Sequence, residues 1–422
     1  MEKETYIINL CRKAREASQQ IMGISADKKN RVLLRIARAL EECKTTLQAE
    51  NEKDLQAGKE SGLSQALLDR LALTDKRIGE MAQCLEEIAA LPDPVGEIIN
   101  MKTRPNGMKV GKMRVPIGVI GIIYEARPNV TSDAAGLCFK SSNAIILRGG
   151  KEALYSNKAI VKLIQDVLTD EGLPAACVQF IDTPDRELVP LLLKQSKYVD
   201  LIIPRGGRGL IETVVENSRI PVIKHYDGIC HIYVDEEVNM DNACTISVNS
   251  KIQRPSVCNA LETLLINENI AWQFLPLVAR ELRRNGVELR GCQKTREILS
   301  TNDIPCQKAA DEDWITEYLD LIIAIRIVKD IEEAIGHINE YGSHHTDSIL
   351  TNSYWKSKKF IELVDSACVF VNASTRLSDG HQFGLGAEIG ISTDKLHSRG
   401  PMGLEDLTTG KYILIGENHI RE

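Results

Sequence analysis

The chain has 422 residues, 43% of them hydrophobic and 26% charged, with a formal net charge of −7. That length exceeds one simple core and predicts two to three domains of ordinary globular composition. The acidic balance argues against a nucleic-acid surface as the main business of the molecule.

The opening MEKETYIINLCRK lacks the apolar core and small-residue cleavage site of a signal peptide, so a cytoplasmic location is expected. Helical periodicity follows: Val32, Leu33, Ile36, Ala37 and Leu40 form one apolar stripe. Leu91-Pro92-Asp93-Pro94 ends that region. MKVGKMRVP (108–116) alternates apolar and basic residues, as a strand with one wet face or a pairing arm does. IGVIGIIY (117–124), bounded by Arg114 and Glu125, falls far short of the ~20 residues of a membrane span. It opens an alternation of buried β runs and helices: a helix around 133–140, NAIILRGG, a helix over 153–169, CVQFID, a helix near 187–194, VDLIIPRGG and a helix near 210–217. Repeated β–α units predict a parallel, doubly wound sheet. A second α/β section, about 229–372, holds HIYVD, KIQRPSVCNALETLLI, LDLIIAIRIV and ACVFVNA. The tail carries a glycine-rich loop, DGHQFGLGAEIG, and the strand-like KYILIG (411–416).

Two glycine turns stand out. ILRGGKEA (146–153) and IPRGGRG (203–209) each put two glycines between a buried strand and a helix, where backbone N–H groups can meet a phosphate. Arg148, Lys151, Arg205 and Arg208 add positive charge there. Either turn alone is more often a tight connection; two with clustered cations point to a phosphate-bearing ligand.

The 11 cysteines are odd in number and contain no C-x-x-C pair, which fits reduced thiols rather than disulfides or a zinc site. Most such thiols are inert packing. Cys258 differs, because Pro255 and Ser256 suit a turn into an apolar run that reads as a helix. A thiol in a first helical turn is acidified by the dipole and free N–H groups. Among the eight histidines no metal-binding spacing occurs, and His344 and His345 read either as site residues or as loop residues.

The block IGVIGIIYEARPNVTSDAAGLCFKSSNAIILRGGKEA (117–153), the segment VKDIEEAIGHINEYGSHHTDSI (328–349) and the tail FGLGAEIGISTDKLHSRGPMGLEDLTT (383–409) resemble the aldehyde dehydrogenase superfamily. Within it they are similar to the branch that reduces L-glutamyl 5-phosphate in proline biosynthesis. The resemblance spans essentially the whole chain. It implies an aldehyde dehydrogenase-like α/β fold, with a doubly wound cofactor domain, an α/β catalytic domain and a small β oligomerisation arm. The expected division is an NADP-binding domain over 1–103 and 118–228, a catalytic domain over 229–395, and an arm from 104–117 and 396–422.

By the same resemblance Cys258 matches the catalytic cysteine. Arg148 takes the place of a lysine at the cofactor's adenosine ribose, and Lys151 stands where NAD-preferring relatives often carry an acid, which favours NADPH. Gly206 and Gly207 match the turn under the pyrophosphate, and Glu317 the glutamate at the nicotinamide ribose. Oxidising relatives use a glutamate to activate water; here His225, in KHYDGICH, stands about where it would be. Asn129 and Arg127 are the candidates for oxyanion or substrate contacts, together with His225. The implied reaction is NADPH-dependent reduction of L-glutamyl 5-phosphate to L-glutamate 5-semialdehyde and phosphate through a cysteine thioester. Glutamate 5-kinase is the implied supplier of the acyl phosphate, and a homo-oligomer of at least a dimer is expected, without metal. An oxidising aldehyde dehydrogenase is the alternative, and a Cys–His hydrolase or a non-catalytic nucleotide binder are weaker ones.

Overall fold

The computed structural model describes residues 2–421. Two compact units are present: one holds the chain up to Lys224, Gly384–Gly390 and the stretch from Met402, the other His225–Phe383 and Ile391–Pro401.

The first unit begins with five helices, Glu2–Ile21, Ala26–Glu42, Lys44–Glu60, Gln65–Leu71 and Asp75–Ala90. Ser25, Ser64 and Thr74 cap three of them, each side-chain oxygen accepting from the N–H three residues on. The expected stripe of Val32, Leu33, Ile36, Ala37 and Leu40 is fully buried. A four-stranded parallel sheet follows, ordered Val178–Phe180, Ala144–Arg148, Val119–Tyr124, Leu201–Arg205. All six residues of Val119–Tyr124 are buried, as befits a strand covered on both faces.

A separate antiparallel sheet joins distant parts of the same unit. Lys109–Pro116 lies between Ile98–Thr103 and Thr408–Ile415, with Pro116 opposite Thr408 and Lys109 opposite Ile415. The two stretches of the expected arm thus pair with each other within one chain, and the outer strand leaves Tyr412, Leu414 and Ile415 exposed.

The second unit is built on seven parallel strands: Gln307–Lys308, Glu288–Gly291, Ile322–Val328, Leu261–Asn267, Cys230–Val234, Thr346–Leu350 and Cys368–Val371, in that spatial order. Here one expectation fails. The run after Cys258 is the strand Leu261–Asn267, near the middle of this sheet, and not a helix. Every residue of it is buried, and a two-sided buried strand shows no alternation, so its pattern matches that of a buried helix. No helix among the described residues is long and apolar enough to cross a membrane.

Candidate active site

Cys258 lies in the irregular turn between the helix Met240–Ile252 and the strand Leu261–Asn267, and is half-buried. It therefore has no helix N-terminus to acidify it, and its environment comes from side chains instead. The turn is fastened at its base by Lys251 Nζ and Glu262 Oε2, 2.6 Å apart and wholly buried. At its tip, Asn259 Nδ2 donates to the Ser378 carbonyl at 2.8 Å, while the Arg376 guanidinium donates to Asn259 Oδ1 and, at 2.8 Å, to Gln253 Oε1.

The backbone of Gly228 presses against that of Cys258. A Cβ on Gly228 would fall 1.9 Å from the Cys258 carbonyl oxygen and 2.4 Å from its Cα, so no side chain fits there. Glu317 holds this contact: its Oε1 accepts from the Gly228 N–H at 2.9 Å, and burial raises its pKa. The carboxylate expected at a cofactor ribose thus has one oxygen engaged on the backbone beside the cysteine.

Two imidazoles meet the thiol. The ligating atoms of His225, Cys258 and His345 all lie within 4.8 Å of one another, and the two rings stand edge to face with centroids 5.7 Å apart. Their tautomers follow from the surrounding hydrogen bonds. Nδ1 of His225 lies 3.1 Å from the Ile391 carbonyl, which only accepts, so this nitrogen carries the proton. Nδ1 of His345 lies 2.8 Å from Thr346 Oγ1, whose own proton goes to Ser378 Oγ at 2.9 Å, so Nδ1 is again the donor. Both rings are left with the lone pair on Nε2. An imidazole grouped with a thiol is the partner an activated cysteine uses. His225 lies in irregular chain rather than in a strand. The short pairing beside Leu201–Arg205 is a single bridge, with Ile202 donating to the Pro221 carbonyl and Ile223 donating to the Ile202 carbonyl, and it stops short of His225. Of the two adjacent histidines, His345 joins the thiol, while Nδ1 of His344 lies 2.6 Å from the Asp365 carbonyl.

Arg376 was not visible beforehand. Burial and then the neighbouring Arg254 lower its pKa, while Asp379 and Cys258 act in the opposite sense, which puts two guanidinium charges within electrostatic reach of each other near the cysteine turn. Nothing in its local sequence, NASTRLSDG, marks it. Gly228 was equally hidden, since a single glycine in YDGICH reads as an ordinary turn.

In the first unit, Gly207 caps the helix Arg208–Asn217, with open space where its side chain would be. Its N–H already meets an anion, donating to Glu125 Oε2 at 3.3 Å. A Cβ on Gly206 would lie 2.7 Å from the Glu125 carboxyl carbon and from Leu210, so the turn admits only glycine without movement. Arg148 ends the strand Ala144–Arg148, with Nη1 on the Gly149 carbonyl at 2.8 Å and a buried Nε that has no partner. Lys151 opens the short turn Lys151–Ala153 and is exposed. The glycine turn at a helix N-terminus and the unsatisfied buried Arg148 Nε fit a polyanionic nucleotide, whose phosphates would take the place of the Glu125 carboxylate at the Gly207 N–H. Arg127 and Asn129 sit at the start of the helix Pro128–Lys140, both exposed, with Asn129 Nδ2 donating to Asp133 at 3.0 Å.

The aldehyde dehydrogenase family model matches residues 2–291. The γ-glutamyl phosphate reductase of Moorella thermoacetica is 56% identical over 97% of both chains, and that of Thermodesulfovibrio yellowstonii 53% identical over the full length of both. The crystal structure of the γ-glutamyl phosphate reductase from Thermotoga maritima superposes with a TM-score of 0.96 at 48% identity, covering 99% of this chain and 100% of that one. An acetylating aldehyde dehydrogenase from Geobacillus thermoglucosidasius, 17% identical, shares the fold over 100% of this chain and 98% of its own, with a TM-score of 0.71. Identity above half over whole chains, on a fold shared with distant dehydrogenases, means that the chain belongs to the aldehyde dehydrogenase family of oxidoreductases, in its γ-glutamyl phosphate reductase branch.

Proposed function

We propose that the protein reduces L-glutamyl 5-phosphate with NADPH, giving L-glutamate 5-semialdehyde and phosphate through a thioester on Cys258, as a cytoplasmic step of proline biosynthesis. The observation that carries this reading is the setting of Cys258, a half-buried thiol grouped with two imidazoles. An acyl phosphate is already activated, so it needs a soft nucleophile and protection from water. His225 or His345 takes the thiol proton on Nε2, Cys258 Sγ attacks the acyl carbon, and the C–O bond to phosphate breaks. The Arg376 and Arg254 charges favour the approach of this anionic substrate. NADPH, when bound, supplies the hydride that brings the acyl carbon to the aldehyde level. Cys258 then leaves as thiolate. Asn129, Arg127 and His225 are the candidate donors to the oxyanion.

For the cofactor, Gly206 and Gly207 hold the pyrophosphate, Arg148 and Lys151 the adenosine ribose with its 2′-phosphate, and Glu317 the nicotinamide ribose. A charge-assisted contact contributes about 1.5–3 kcal/mol, or roughly ten- to a hundred-fold in preference. NADPH should therefore exceed NADH by that factor in kcat/KM, and Lys151→Glu should shrink or invert the ratio. Equal kcat/KM for the two cofactors in the unmodified protein would remove the assignment of Lys151.

The function is tested by running the reaction backwards. Oxidation of glutamate 5-semialdehyde with NADP+ should require phosphate, because His225 stands where oxidising relatives carry the glutamate that activates water. Arsenate should replace phosphate. Steady turnover in phosphate-free buffer would assign an oxidising aldehyde dehydrogenase instead.

The exposed edge of Thr408–Ile415 is proposed to pair with a second copy of the chain, since a bare apolar strand edge invites a partner. The sedimentation coefficient at micromolar protein should be that of a dimer or larger. A monomer would refute the arm. Glutamate 5-kinase is the proposed source of the substrate.

A further inference from the structure

We propose that His225, Cys258 and His345 form a binding site for a thiophilic divalent cation of the Zn2+ class, and that its occupancy masks the thiol. Three observations carry it. The donor set is one thiolate and two imidazoles whose ligating atoms lie within 4.8 Å of one another. That set, without a carboxylate, suits Zn2+, Co2+ or Cd2+ and not the oxygen-seeking Mg2+ or Ca2+. Both rings also have the outer contacts that metal-binding histidines use: each Nδ1–H is taken by an oxygen, Ile391 O for His225 and Thr346 Oγ1 for His345, leaving Nε2 for the ion. Thr346 Oγ1 is fixed in turn by Ser378. Three protein ligands leave a fourth position for water, the arrangement of an accessible rather than a structural site.

Tetrahedral zinc, with Zn–N of ~2.0–2.1 Å and Zn–S of ~2.3 Å, needs ligand atoms about 3.3–3.6 Å apart. The group must therefore close by about an ångström. His225 is the member free of regular structure, while the Cys258 turn is fastened at both ends and His345 is fully buried next to the strand Thr346–Leu350. The movement falls to His225. On binding, the Cys258 S–H proton passes to solvent and an S–metal bond takes its place, with no change of oxidation state. Cys230 stays outside the set: burial pushes its thiol well above the usual range, and its Sγ donates to the Cys258 carbonyl at 3.2 Å.

The test is a titration of the full-length protein with CoCl2, followed by competition with ZnCl2. One Co2+ per chain should produce thiolate-to-cobalt charge-transfer absorption in the near ultraviolet. Cys258→Ser should abolish that band, and His225→Gln and His345→Gln should each weaken binding about tenfold or more while keeping it. In the unmodified protein, Zn2+ should protect Cys258 from iodoacetamide in proportion to occupancy and EDTA should reverse this, with the other ten cysteines as internal controls. Absence of the band at millimolar Co2+, its persistence in Cys258→Ser, or unaltered affinity in both histidine variants would overturn the site. Absorbance and alkylation report on the three donors alone, whereas a failure of the proposed reaction would show in the phosphate assay.

Discussion

Cys258→Ala is expected to lower turnover by ~10³-fold or more while leaving NADPH affinity nearly unchanged. The thiol would supply the covalent step, and the imidazoles grouped with it are poor substitutes, because an acyl-imidazole is quickly lost to water. Cofactor affinity is the control, since four of the five residues proposed for the cofactor, Arg148, Lys151, Gly206 and Gly207, lie in the other compact unit and only Glu317 shares that of Cys258. The remaining ten thiols should be dispensable for the chemistry. Steady-state rates with L-glutamyl 5-phosphate and a fluorescence titration with NADPH check both halves. A Cys258→Ala protein keeping more than a few percent of the normal rate would remove the thioester route.

The second large effect is on stability. Lys251→Met should destabilise the protein by about 3–5 kcal/mol, because it strands the Glu262 carboxylate in a dry interior. Burial already pushes Glu262 up to about 7 and pulls Lys251 down, each held back by the charge of the other. For a unit of this size that loss corresponds to a melting temperature lower by roughly 6–20 °C. Replacing both, Lys251→Met with Glu262→Leu, should recover most of it, since an apolar pair needs no charge compensation. Scanning calorimetry of the three proteins checks the sign. Activity should fall further than folding alone explains in Lys251→Met, because the pair closes the turn that carries Cys258.

Much of the fold was legible because its signals are local. The stripe from Val32 to Leu40, the break at Leu91-Pro92-Asp93-Pro94 and the glycine turns after buried strands each record a backbone requirement in adjacent residues. The segment after Cys258 was not legible, because LETLLIN is buried on both faces and periodicity carries no information there. The site was half legible for a related reason. Cys258 and Glu317 were proposed from family pattern, but the approach of Gly228 to Cys258 depends on chain 30 residues away, and the grouping of His345 rather than His344 with the thiol on which ring turns inward. Arg376 sits in a loop whose composition suggests nothing. Such residues are defined by three-dimensional neighbours alone.

The antiparallel sheet has a consequence for how the protein is made. Its middle strand, Lys109–Pro116, emerges long before Thr408–Ile415 exists, separated by about 290 residues. At about 5–20 residues per second, the nascent chain carries one unfilled flank of that strand for roughly 15–60 s. Lys109, Lys112 and Arg114 are spaced along it, and charges of one sign discourage neighbouring nascent chains from docking there. The strand that finally occupies the flank brings mostly uncharged residues, TTGKYILI, so during synthesis the charge along this edge comes from Lys109, Lys112 and Arg114.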